Sequence, residues 1–153
     1  MADDPLDTRR LVLPGLAGLY ARLVPVGYAV MRFSTGAVLF PHGVQKVFHG
    51  SIAHSAEGIA QHGLPLPIFL AYCSAFAEFA GAACIALGLF TRVAAVIVWI
   101  EMTVIITVFQ WHFGYFWTSR GYEFALLWWL LCIGIFCRGG GRYSLDHLIG
   151  KEF

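Results

Sequence analysis

Long apolar runs broken by short polar stretches dominate the chain, and their lengths suit helices that cross a bilayer. A span needs about 20 mostly apolar residues, and four segments are candidates: about Val24 to Phe48, Leu66 to Phe90, Val93 to Trp111 and Tyr122 to Cys137. The last spans comfortably only if Glu123 sits at or inside the boundary. Between the first two lies HGSIAHSAEGIAQHGLPLP, read as a polar loop closed by Pro65 and Pro67, which suit the first turn of the next helix. Only GLFTRV separates the second from the third, a tight hairpin of helices around Thr91 and Arg92. The aromatic stretch FGYFWTSRG reads as an interfacial loop at headgroup level. Ahead of the first span, apolar residues run from Leu11 to Arg22 around Pro14 with Arg9, Arg10 and Arg22 at their ends, as in a short amphipathic segment on the membrane surface.

These elements predict an all-α membrane protein, a four-transmembrane-helix bundle. Its parts are an N-terminal arm over residues 1–22, a transmembrane domain over 23–147 and a tail over 148–153. Composition agrees: 59% of the 153 residues are hydrophobic and 12% charged, against roughly a half and a quarter in soluble chains. Mean hydropathy is +0.72. The net charge of +1 offers no field for nucleic acid, so the expected surroundings are the lipid bilayer and a protein partner or further copies of the chain. The opening MADDPLDTRR lacks the basic and apolar regions of a signal peptide, so the N-terminus is expected to be retained. Arg9, Arg10, Arg22, Arg92, Arg138, Arg142 and Lys151 fall on one side of the spans, which predicts cytoplasmic N- and C-termini. The four cysteines form no C-x-x-C pair and lie in apolar segments, where packing is their ordinary role.

Polar residues inside such spans are few and costly. Counted along the helices at 1.5 Å per residue, Arg32, Glu78 and Glu101 fall at one depth, which predicts Arg32 clamped between two carboxylates. That cluster is either a structural tie among three helices or a proton relay. A second, outer layer is expected beyond a kink at Pro41. FPHGVQKVFHG places His42, Gln45, Lys46 and His49 at i, i+3, i+4 and i+7, so on one helix face, with Gln110, His112 and Glu123 nearby. His54 and His62, in the loop, are read as solvated. Three roles suit the outer layer. A quinone headgroup needs hydrogen-bond partners for its carbonyls and a proton route, which histidine and lysine supply; a metal lacks any H-x-x-x-H or E-x-x-H pair; a structural cap needs only snorkelling and interfacial side chains.

Arg32, Gly36 and Phe40, then His42, Gly43, Lys46 and Phe48, then Glu78, Gly81 and GLFTR at 88–92, then GYE at 121–123 and GRYSLD at 141–146, occur in an order that resembles the DoxX family of small membrane proteins. The resemblance implies four transmembrane helices with both ends inside, in the plasma (inner) membrane of a prokaryote. Among related proteins some look like membrane partners of oxidative-stress and sulfur-transfer enzymes, and the DoxD type belongs to a thiosulfate:quinone oxidoreductase. The function expected from it is a subunit associated with a redox complex, whose outward-facing polar cavity binds a quinone or a small sulfur compound. The alternative is a non-catalytic scaffold that uses aromatic faces such as Phe116, Trp117, Trp128 and Trp129. The ligand or proton-relay candidates are Arg32, His42, Gln45, Lys46, His49, Glu78, Glu101, His112 and Glu123; Arg32, His42, Lys46, Glu78 and Glu123 are the ones that match polar positions of the family. No metal, haem or flavin motif occurs, quinone is the one cofactor considered, and whether the chain is itself an enzyme is left open.

Overall fold

In a computed structural model, which describes residues 11–151, the apolar runs are helices, and there is no strand among the described residues. After a 3-10 turn at Pro14–Leu16, helix α1 runs from Ala17–Phe48, helical through both Pro25 and Pro41. Its 32 residues reach about 48 Å, well beyond a hydrocarbon core of about 30 Å. Two further long helices follow, α3 at Pro67–Leu87 and α4 at Thr91–Phe113, and these with Pro14–Phe48 are long and apolar enough to cross a membrane. Helix α5, Glu123–Arg138, is equally apolar but has 16 residues, about 24 Å.

Two expectations change here. The boundary drawn at residues 22 and 23 falls inside α1, so residues 17–22 are that helix's first turns rather than a separate surface segment; residues 1–10 of the arm lie outside the described part. The polar stretch after α1 contains a helix, α2, Ile52–Gln61, between Gly50 and Gly63, whose positive φ angles suit glycine. Its Ala56 and Ile59 are buried against Ala71 of α3, with Leu70 and Phe109 packed around them. The spacing of Ile52, Ala56 and Ile59, i, i+4 and i+7, was the available signal, and the many polar neighbours masked it.

Helices α1 and α3 meet along small residues. A Cβ on Gly36 would come within 2.5 Å of the Ala86 nitrogen, and one on Gly43 within 2.5 Å of the Glu78 carbonyl carbon and Phe79 Cα. Backbones can approach this closely only where side chains are absent. The contact sets an antiparallel register, with Gly43 beside Glu78 and Phe79, and Gly36 beside Ala82 and Ala86. Phe40 stacks on Phe79 at 4.9 Å on the same seam. Helix α5 closes the bundle: the Trp128 indole donates to the Thr35 carbonyl at 3.1 Å and the Trp129 indole to Thr103 Oγ1 at 2.9 Å.

At the end of the bundle carrying the α3–α4 turn, the motifs GLFTR and GRYSLD interlock. Gly88, at φ +70°, ends α3, with Leu89 N–H bonded to the Cys84 carbonyl at 2.9 Å. Asp146, fully buried, accepts from Phe90 N at 2.8 Å, Thr91 N at 2.9 Å and Thr91 Oγ1 at 2.6 Å, capping α4. Ser144 caps the short helix α6, Leu145–Ile149, by accepting from His147 N.

Candidate functional site

Arg32 belongs to this interlocked end and not to a carboxylate clamp. Its Nη1 donates to the carbonyls of Ile85 at 2.5 Å and Ala86 at 2.7 Å, and its Nη2 to that of Tyr143 at 2.7 Å. The guanidinium thus satisfies carbonyls that the end of α3 leaves open and ties them to the C-terminal loop. The expected triad fails because Cα depth is not side-chain depth. Helical side chains lean toward the N-terminus, which carries Arg32 away from Glu78, and Glu78 and Ile85 are seven residues apart, about 10 Å along α3.

The same lean takes Lys46 down into the bundle, to the place expected for Arg32. Lys46 Nζ lies 2.7 Å from Glu78 Oε2 and donates to Ser74 Oγ at 2.7 Å. Ser74 Oγ donates in turn to Glu101 Oε1 at 2.5 Å. Glu78 and Glu101 are both buried, and Glu101 Oε2 has no hydrogen-bond partner among the described residues. One ammonium thus serves two carboxylates, with a serine hydroxyl between them. Glu78 stands next to the centre of the 21-residue α3, and Glu101 next to the centre of the 23-residue α4, so the network sits near mid-depth.

Both acidic helices are locally distorted at this level. Glu78 lies within a π turn, Ala77–Gly81, and a second π segment, Ile105–Gln110, begins one turn after Glu101. Such turns widen a helix and recur where side chains must be re-aimed at functional sites. Here they border a cavity of about 550 Å³ that opens beside Lys46, Ser74 and Glu101. Its walls are mostly apolar, including Leu64, Leu70, Ile97, Ile100 and Val104, and α2 roofs it with His54, Ser55 and Ile59. Its volume falls in the range of small-molecule sites, and few polar groups converging in an apolar pocket is their usual form. The sequence reading missed Ser74, His54 and the part played by α2. A lone serine inside an apolar run carries no pattern until its neighbours across the interface are known.

The expected outer layer is divided among three places. Lys46 is in the network. His42, Gln45 and His49 are exposed and line a shallow furrow on the outer surface of α1, together with Phe40, Pro41 and Val44. His112 and Gln110 sit at the far end of α4, in a pocket of about 420 Å³ with His62 and Arg120. His62 is exposed, as expected; its Nδ1 bonds the Gly58 carbonyl at 2.8 Å and its ring lies 4.6 Å from that of Phe109. Glu123 accepts from Trp117 N at 3.1 Å, bracing the aromatic loop against the start of α5. Of the cysteines, Cys132 is buried, Cys84 half-buried, Cys73 and Cys137 exposed, and all are free. Among the described residues no group of three His, Cys, Asp or Glu side chains is placed to hold a metal ion.

The fold and this site define a class: a helical membrane protein with an ion-pair network at mid-depth and a ligand-sized apolar cavity opening onto it. The chain belongs to the DoxX family, whose family model matches residues 27–111. The matched region includes Arg32, Lys46, Ser74, Glu78, GLFTR and Glu101, and stops short of His112, Glu123 and GRYSLD. No curated protein and no solved structure matches the chain.

Proposed function

We infer that the cavity beside Lys46, Ser74 and Glu101 binds a lipid-soluble carbonyl compound of the quinone class, and that the protein serves a redox complex in the plasma membrane as its quinone-binding subunit. The observation that carries this is the convergence of Lys46, Ser74 and Glu101 at the polar end of an otherwise apolar, ligand-sized cavity, with Glu101 Oε2 unpartnered among the described residues. Buried polar atoms are normally hydrogen-bonded, and one left open beside a cavity suits a ligand hydroxyl. Lys46 is a donor for a quinone carbonyl, Glu101 an acceptor for the hydroxyl of the reduced form, and Ser74 connects them. Apolar walls favour a ring with a hydrocarbon tail over a small polar sulfur compound. The chain supplies binding and a proton path; electrons come from a partner protein, since no redox motif is present in the sequence.

In this reading α5 with its flanking residues completes a four-span topology with both termini in the cytoplasm. The scaffold alternative loses two of its anchors, because Trp128 and Trp129 spend their indole N–H groups on α1 and α4 inside the bundle.

The test is equilibrium binding of a short-chain ubiquinone analogue to the protein in nanodiscs, with Glu101→Gln and Lys46→Met beside the wild type. Loss of a hydrogen bond to a charged group predicts roughly 10- to 150-fold weaker binding in each variant. Saturable binding that neither substitution alters would place the ligand elsewhere, and no saturable binding would end the proposal.

A further inference from the structure

The furrow on α1 poses a problem that the cavity does not solve. His42 adjoins Gly43, which packs beside Glu78 and Phe79 at the middle of α3, so His42 stands near mid-depth on the face of α1 turned away from the bundle. Gln45 and His49 follow one and two turns on, and all three are exposed. None makes a side-chain hydrogen bond within the described residues, although Lys46, among them in the sequence, is fully engaged. Farther along the same face lie Val38 and Ser34, also exposed, so the positions 34, 38, 42, 45 and 49 form one stripe at helix-pair spacing. Polar side chains aimed at hydrocarbon are expensive, and in membranes they hydrogen-bond across helix pairs.

We propose that this stripe is a homodimer seam, with α1 of one copy packed against α1 of a second copy through His42, Gln45 and His49. The occupant follows from the chemistry of the three side chains. Copies inserted with the same topology and related by a two-fold axis along the membrane normal bring parallel α1 helices together, each position facing its own counterpart. A residue meeting itself in lipid must be both donor and acceptor. Neutral histidine and glutamine are both, whereas lysine offers only donors and a carboxylate only acceptors. The stripe contains no Lys, Arg, Asp or Glu, so self-pairing meets no like-charge repulsion among such groups, and the charged residues of this half of α1 and its partner helices are turned inward. The seam residues line neither the cavity nor its ion-pair network, so the seam stands independently of what that cavity binds.

The test counts copies. Protein carrying a single fluorophore is reconstituted at low density in phosphatidylcholine vesicles and bleached one molecule at a time, for the wild type and for a combined His42→Leu, Gln45→Leu and His49→Leu variant. At about the average strength of interhelical hydrogen bonds, losing three pairs weakens association about 20-fold, which turns two-step bleaching into single-step bleaching at matched density. Because the triple variant could misfold, Gln45→Cys in a chain whose native cysteines are replaced by alanine provides a second measurement. Mild oxidation should join two such copies, and should not join copies carrying Phe69→Cys, which is exposed on α3. Two-step bleaching lost in the variant, or a specific cross-link at position 45, supports the seam. A wild type that is monomeric and does not cross-link, whether its α1 face is bare or covered by lipid or by a different protein, overturns it. So does a dimer that the folded triple variant keeps and that position 45 fails to cross-link.

Discussion

Adding one methyl group at Gly43 probes both the packing that sets the α1–α3 register and the site that depends on it. The new Cβ of Gly43→Ala would lie 2.5 Å from the Glu78 carbonyl carbon and Phe79 Cα, where ordinary contact begins at 3.4 Å. These are backbone atoms of a helix held in the bundle, so no rotamer change relieves the overlap, and α1 must move out by about 1 Å. Overpacking of this kind costs about 1–3 kcal/mol, and the upper half of that range applies when the obstacle is backbone. For a chain of this size, such a loss lowers the midpoint of thermal unfolding by on the order of 5–10 °C. The same displacement stretches the 2.7 Å contact between Lys46 and Glu78 beyond hydrogen-bonding distance. Gly36→Ala is the control: it is equally obstructed, by Ala86, but lies nearly three turns from Lys46 on the Arg32 side. Following unfolding by the fluorescence of the five tryptophans, together with binding of the quinone analogue, separates the two effects. Both variants should melt early, and Gly43→Ala should also bind more weakly than Gly36→Ala. A Gly43→Ala protein that melts with the wild type would refute the register on which the site rests.

Arg32→Met removes three hydrogen bonds from a cation to carbonyls, two at the end of α3 and one in the C-terminal loop, and should destabilise the fold by about 2–4 kcal/mol; in the folded fraction, quinone-analogue affinity should stay within about twofold, whereas a specific loss of affinity would return Arg32 to the site. Asp146→Ala uncaps α4 and should cost about 1–2 kcal/mol, measured as a shift in the unfolding midpoint, with Asp146→Asn recovering part of it. Lys46→Met leaves two buried carboxylates without their cation, and the double variant Lys46→Met with Glu78→Gln should be more stable than Lys46→Met alone, because the stranded charge is gone. A double variant less stable than both single ones would mean that the pair is held by contacts other than this ion pair.

Much of the architecture was legible as pattern. The long apolar runs, the tight GLFTR turn and the scarcity of ionisable residues within the spans all reappear as helices, a capped turn and a few buried polar side chains that find partners. The amphipathic α2 was not legible, because its apolar positions are interrupted by histidine, serine and glutamate. The site was legible only in part. Lys46, Glu78 and Glu101 were singled out, but Arg32 was grouped with the acids and Lys46 with the histidines. Both errors came from counting Cα positions along assumed spans, although a lysine or arginine side chain reaches well over one helical turn from its own Cα.

What the amino-acid sequence determined by itself was the solvent the chain requires and the small set of polar groups that must find partners within it, since hydropathy and the cost of bare charge in lipid are properties of residue type. Which groups become partners was decided by the tertiary structure. Helix faces repeat every 3.6 residues, so several pairings of α1 with α3 satisfy the same apolar pattern. The close approach at Gly36 and Gly43 selects one of them, and with it Lys46 meets Glu78 while Arg32 reaches the end of α3.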